Sequence, residues 1–514
     1  MKQTLYIIAA LLLLARCVED TGNYTYEAPA AVSPVILSTL AEEYEAISLQ
    51  QFVIDPRVEG NEDDYTYAWY VYPINHTAIP YDTIGHERKL DYRVAIQSGT
   101  YTLIFKVTEK QHGTSVYQRS RVTVSSIFGK GYYINKHQNG RADVDFIDRD
   151  GVITPNLLKQ LNGDDLPGIP IRSTYVSNQY YYETLDPDGN PVRSLAQPAF
   201  MICTDQDARV YHGDNMRLLK AWDSLFLEQP AVKRPAGIWG STGGFMLLND
   251  NSPHFVYNNG YGIGKFGYAY PSDGYKLSRL VTVGYAGYLA FDENAGSFVG
   301  YYPQRNTPYT EAYPGYLPNC VNQELLWSAP RHMYETTSLN SYSITRDRDD
   351  NTIRVISSWP RYIQNGLFVF ERDYLIPPTV RLAEGTAFTC HGGGSVSSII
   401  AGHEAIYYST GDNRVHYYNL ANQTERRDAV TIPDGESIAY IHHAYDYYWQ
   451  VNHFIILANK GNQWKMYVHD MEGSTPDNII GGTVDIVSTP TATYTGDGTA
   501  VNLIYRHPNT KLTY

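Results

Sequence analysis

The chain has 514 residues, with 54 acidic against 40 basic side chains and a net charge of −14. It has no Lys/Arg-rich stretch, which argues against nucleic-acid binding, because phosphate neutralisation needs clustered cations. The length exceeds what one hydrophobic core comfortably serves, so two or three domains are expected. The 47 tyrosines against 15 phenylalanines suit half-buried sheet surfaces, where an apolar ring and a polar tip both find a place.

Residues 1–16 begin with Lys2 and continue through an apolar run from Leu5 to Ala15. That run falls short of the roughly 20 apolar residues a membrane span needs and fits the h-region of a secretory signal. Cys17 follows directly, after Arg16, and the segment resembles a bacterial lipoprotein signal in which Cys17 becomes the lipidated N-terminus. Glu19 and Asp20 resemble the acidic tag that sends such proteins to the outer face of an outer membrane. Residues 17–27 are polar and without periodicity, and read as a tether.

Residues 28–126 read as a β-sandwich. Tyr65, Tyr67, Trp69 and Val71 alternate with Thr66, Ala68 and Tyr70, and Tyr101, Leu103, Phe105 and Val107 alternate likewise. This period of two puts one face of each strand in a core. Val116, Val122 and Val124 lie in a third run, and the polar stretch 59–64 separates strands. The cysteine pair of immunoglobulin domains is absent.

Residues 127–514 carry strand pairs around polar Gly/Asn/Asp turns, beginning near 131, 199, 237, 287, 341, 404 and 453. Each predicts a hairpin. Their spacing suits blades of four-stranded sheet with insertions, so the expectation is a β-propeller of seven blades, with eight as the alternative. A stacked pair of β-sandwiches is the rival. Two helices are expected within this region. One follows Thr154-Pro155 and carries Leu157, Leu158 and Leu161 before Gly163. The other spans Met216–Glu228, with Leu218, Leu219, Trp222, Leu225 and Phe226 at helical spacing.

The run Ser98-Gly99-Thr100-Tyr101-Thr102-Leu103-Ile104-Phe105-Lys106-Val107-Thr108 resembles a strand of PKD-type Ig-like domains, and Tyr65–Trp69 resembles their central strand. The segment opening at Cys17, and the passage from Gly131-Tyr132-Tyr133-Ile134 into Asp143–Ile147, resemble the PKD-like family of lipoproteins that accompany SusC/SusD-type nutrient importers. The resemblance implies an N-terminal PKD/Ig-like sandwich and a non-catalytic accessory role. The expected partners are SusC/SusD-like outer-membrane proteins and a glycan or peptide ligand, with the membrane reached through lipid on Cys17.

No G-x-S-x-G elbow, P-loop or H-E-x-x-H run is present. Asp143, Asp145, Asp148 and Asp150 depart from calcium-loop spacing, and His442, His443 and His453 do not match a zinc pattern. Cys203, Cys320 and Cys390 are far apart and read as buried small hydrophobes. No catalytic residue, metal or cofactor is expected. Ligand binding is expected from two aromatic loops, 258–270 with Tyr261, Tyr268 and Tyr270, and 301–327 with Tyr309, Tyr313, Tyr316 and Trp327. A polysaccharide-degrading enzyme and a cell-surface adhesion or scaffold protein are the competing expectations. Converging acidic groups would favour the first, and a large exposed apolar patch the second.

Overall fold

The computed structural model describes residues 34–36, 40–74, 82–96, 98–185, 189–194, 196–241, 243–257, 263–270, 274–284, 287–301, 318–330, 341–359, 369–391, 404–446, 451–473, 483–507 and 512–513. It is all-β apart from short helical segments. Among the described residues no helix is long and apolar enough to cross a membrane. The chain divides into two compact units between Val124 and Ser125.

In the first unit a five-stranded sheet runs in the order Glu43–Ile47, Ser115–Ser125, Gly99–Glu109, Tyr65–Pro73, Asp82–Gly85, and a two-stranded sheet pairs Gln51–Ile54 with Leu90–Arg93. Their inner faces share one core, as the alternation predicts. Trp69 stands opposite Phe105 in register, with ring centroids 4.4 Å apart and both side chains fully buried. The indole N–H would be costly to bury unpaired, and it donates to the Glu87 carbonyl at 3.0 Å. Ile54, Leu90 and Val94 close the core from the smaller sheet.

Among the described residues the second unit carries seven antiparallel sheets of three or more strands, plus the hairpin Glu183–Leu185/Pro191–Arg193. The first sheet runs Thr499–Arg506, Gly131–Gln138, Arg141–Asp148, Ile153–Thr154. The second runs Pro170–Tyr180, Gln197–Thr204, Ala208–His212, Leu218–Lys220, with Leu512–Thr513 beside Pro170–Tyr180. The third runs Pro235–Ser241, Gly244–Asn249, Ser252–Tyr257, and the fourth Thr282–Val283, Tyr288–Asp292, Ser297–Tyr301. The fifth runs Gln323–Pro330, Ser341–Asp347, Ile353–Trp359, Val369–Ile376. The sixth runs Ala387–Cys390, Ala405–Ser409, Arg414–Asn419, Thr424–Thr431, and the seventh Ser437–Asp446, Val451–Lys460, Gln463–Asp470, Ala492–Asp497. All seven expected hairpins lie in these sheets. In the turn at 139–140 both Asn139 and Gly140 take positive φ, 52° and 71°. That is the geometry which lets a two-residue turn follow the twist of its strands.

Apolar clusters join each sheet to the next. Val176, Phe245 and Tyr288 share one across the second, third and fourth sheets. Phe291 and Leu325 share the next, then Ile344 and Phe388, then Tyr407 and Phe454. Leu457 of the seventh sheet meets Ile134 of the first, and Phe146 of the first meets Phe200 of the second. The sequence of cores thus returns to its start.

Two buried polar networks fasten the return. Lys136 pairs with Asp145 at 2.8 Å, and Asp145 accepts the indole N–H of Trp464 at 2.8 Å, tying the first sheet to the seventh. Arg506 pairs with Asp214 at 2.9 Å, donates to Tyr175 Oη at 2.7 Å and to the Phe128 carbonyl at 3.0 Å, and stacks on the Tyr175 ring.

Both expected helices differ in detail. The first runs Leu157–Asn162 and ends at Gly163 in a left-handed conformation, but Thr154 pairs in a strand rather than capping it. Over 216–228 there is no long helix. Leu218–Lys220 forms the outer strand of the second sheet, and only Trp222–Leu225 turns helically. The apolar spacing of that segment is met by burying Trp222, Leu225 and Phe226 in the core shared by the second, third and fourth sheets. Cys203, Cys320 and Cys390 are buried and unbridged.

Candidate functional site

Second-to-third connections are short in every one of the seven sheets: 139–140, 205–207, 250–251, 293–296, 348–352, 410–413 and 461–462. In an antiparallel meander the other connections leave from the opposite end, and some of them are long, as at 331–340 and 391–404, while others, as at 242–243 and 447–450, are short. Binding groups often concentrate on such connections, but the side chains that converge here sit on the first strands themselves.

The first strands of the second, third and seventh sheets bring together Arg172, Trp239, Tyr440 and His442. The Arg172 guanidinium lies 5.9 Å from the Trp239 ring centroid. Burial pushes the Tyr440 hydroxyl up, and the charge of Arg172 works against that shift. Tyr440 and His442 stack nearly parallel, 8° between planes and 6.1 Å between centroids. Burial, and then neighbouring His443, push the His442 imidazole down to about 3, yet the side chain keeps partial exposure. Trp239 Nε1 and His442 Nε2 have no hydrogen-bond partner among the described residues. Aromatic faces, a guanidinium and unspent ring nitrogens suit a ligand that presents oxygen acceptors.

Next along the seventh sheet, the rings of His443 and of His391 from the sixth lie 4.5 Å apart. His443 Nε2 donates to Asn452 Oδ1 at 2.8 Å, and burial, outweighing that bond, pushes the imidazole down to about 4. His453 contacts Asp470 at 3.1 Å. Burial thus favours the neutral ring at His443. No group of three or more His, Cys, Asp or Glu among the described residues is arranged to hold a metal ion. The acidic run at 143–150 serves the fold: Asp143 accepts the backbone N–H groups of Leu158 and Lys159 at the helix start, and Asp148 those of Asp150 and Val152.

The sequence candidates are dispersed. Tyr268 is 71% exposed. Tyr270 is buried, with its ring edge-on to Phe255 at 4.6 Å and its N–H on the Pro253 carbonyl. Trp327 is half-buried against the core of the fifth and sixth sheets. Cys17, Tyr261, Tyr309, Tyr313 and Tyr316 lie outside the described residues. Arg172 and Trp239 carry no local signal, because their neighbourhood is assembled from strands distant in the chain.

A model of the PKD-like family matches residues 17–170. No curated protein matches the sequence. Among solved structures the chain is similar to a quinonprotein alcohol dehydrogenase-like protein from Bacteroides thetaiotaomicron, at 12% identity, covering 93% of this chain and all of that one, with a TM-score of 0.39. It is also similar to apo AztD from Citrobacter koseri, at 12% identity, covering 85% of this chain and 97% of that one, with a TM-score of 0.36.

Proposed function

We propose that this chain is a lipid-anchored protein of the outer-membrane surface, a non-catalytic accessory of a SusC/SusD-type importer that helps capture a glycan or peptide. The observation that carries the reading is the PKD-like family match, which starts at Cys17, the residue directly after the apolar leader. In this reading residues 127–514 form a seven-bladed β-propeller. Seven sheets whose cores pass from each to the next and back to the first support that count, as does the C-terminal strand completing the first sheet. In this reading the first strands that carry Arg172, Trp239, Tyr440 and His442 face the ligand.

Lipid on Cys17 holds the protein at the membrane, and contact with the importer fixes its orientation. Two tethers raise effective concentration beyond what either provides alone. The test is a detergent pull-down from outer membranes through a C-terminal tag, read by mass spectrometry. Co-purified SusC- and SusD-like proteins are the expected result. Recovery of the protein by itself, or a Cys17→Ala variant that stays with the membrane, would overturn the corresponding half of the reading.

A further inference from the structure

Trp239 is only 1% exposed, yet its indole N–H has no acceptor among the described residues. A buried donor left unmade is costly, and folded proteins keep few of them. The ring that carries it is braced. The indole lies tight against Gly237, where a Cβ would meet its Cη2 at 2.2 Å. Beneath it Tyr288 Oη donates to the Gly244 carbonyl at 2.6 Å and lies 3.3 Å from the Trp239 carbonyl. Over the same ring, 5.9 Å from its centroid, stands the Arg172 guanidinium of the second sheet.

Contacts continue from one first strand to the next. The side-chain amide of Asn502, on the first sheet, donates to the carbonyl of Ile171, the residue before Arg172, at 2.8 Å. Leu503, beside Asn502, belongs to the core on which Tyr440 of the seventh sheet packs. Tyr440 stacks with His442 at 6.1 Å between centroids, and His442 Nε2 is the second ring nitrogen without a partner among the described residues. Two unspent ring nitrogens thus lie on a run of adjacent first strands, with a guanidinium on a strand between theirs. Burial pushes the His442 imidazole down to about 3, so near pH 7 it offers a hydrogen-bonding nitrogen and Arg172 supplies the charge.

We propose that Arg172, Trp239, Tyr440 and His442 form a subsite for a uronic acid residue of an acidic glycan. The planar guanidinium matches a carboxylate through parallel N–H bonds. The Trp239 N–H gains in the same ligand the acceptor it lacks in the protein. Aromatic faces suit the apolar side of a sugar ring, and the ring hydroxyls meet Tyr440 and His442. The subsite rests on the ligand-capture reading and gives it a substrate class, but binding to the isolated chain needs no importer.

The experiment is calorimetry on the purified full chain with an oligogalacturonate, an oligoglucuronate and an oligomannuronate, the methyl ester of each, and an oligoglutamate peptide. At least one uronate is expected to bind, with affinity falling as salt rises. Its methyl ester keeps the ring and removes the charge, so it should bind roughly tenfold more weakly or worse. R172K keeps a cation without the planar fork and should also cost roughly tenfold. W239F keeps an aromatic face and removes only the N–H, so it should cost several-fold, as should H442F. The methyl esters need no variant and read the subsite even where a variant fails to fold. No binding of any uronate, equal affinity for a uronate and its ester, or parental affinity in both R172K and W239F would each overturn the subsite. An oligoglutamate that binds as tightly as the best uronate would overturn the saccharide assignment. Importer partners in the pull-down without uronate binding would overturn the subsite alone, and uronate binding without those partners the importer role alone.

Discussion

His443 stays neutral because it is buried and because Asn452 accepts its ring proton at 2.8 Å. Its imidazole titrates at about 4 when folded, and near 6.5 when unfolded. Between those values the unfolded state holds more protons, so stability is complete above about 6.5 and is lost as pH falls toward 4, at up to about 1.4 kcal/mol per pH unit. His442, pushed down to about 3, acts in the same direction. Urea denaturation at steps from pH 7 to pH 4 should show falling stability, and His443→Gln should flatten that fall. A variant with the parent's full pH dependence would exclude the ring as its source. At this same scale the aromatic candidates separate. Tyr268 and Tyr270 look alike in sequence, but the Pro253 carbonyl takes the N–H of Tyr270 and its ring turns under Phe255. No local pattern encodes that pairing, so exposure was legible for neither residue.

Elements were legible where a local rule decides them. Asn139-Gly140 between alternating strands reads as a hairpin because few other residues take two successive positive φ values. The alternation through Trp69 reads as a half-buried strand because its outward neighbours Thr66, Ala68 and Tyr70 are small, polar or amphipathic. The segment 216–228 misled because helical spacing can also be satisfied by a short edge strand and one helical turn when a shared core takes up Trp222, Leu225 and Phe226. The networks between elements were not legible at all. Arg506 meets Asp214 across 292 residues of sequence, and nothing near either residue marks the other. Removing one partner of such a buried pair leaves a stranded charge, so Arg506→Met should cost about 3–5 kcal/mol in chemical denaturation. The double variant with Asp214→Asn should recover part of that loss. No loss in the single variant would mean the pair does not carry the closure.

For the second unit as a whole, Thr499–Arg506 is the decisive strand. It pairs with Gly131–Gln138 over its length and supplies Ala500, Leu503 and Tyr505 to one core and Ile504 to another. A chain ending at Gly498 should lose the cooperative transition of residues 125–514 and become protease-sensitive there. A chain ending at His507 should keep the transition. Wild-type melting of the shorter chain would show that the sheets stand without this strand. The pairing also sets a schedule. A ribosome makes Gly131–Gln138 long before Thr499–Arg506, so the edge of the first sheet stays open while all the strands between them are made. Long-range pairing of this kind folds slowly and leaves partly built sheets exposed to aggregation. A chaperone gripping only that one strand would therefore leave the first sheet unsealed while the sheets that do not contain it could already pair.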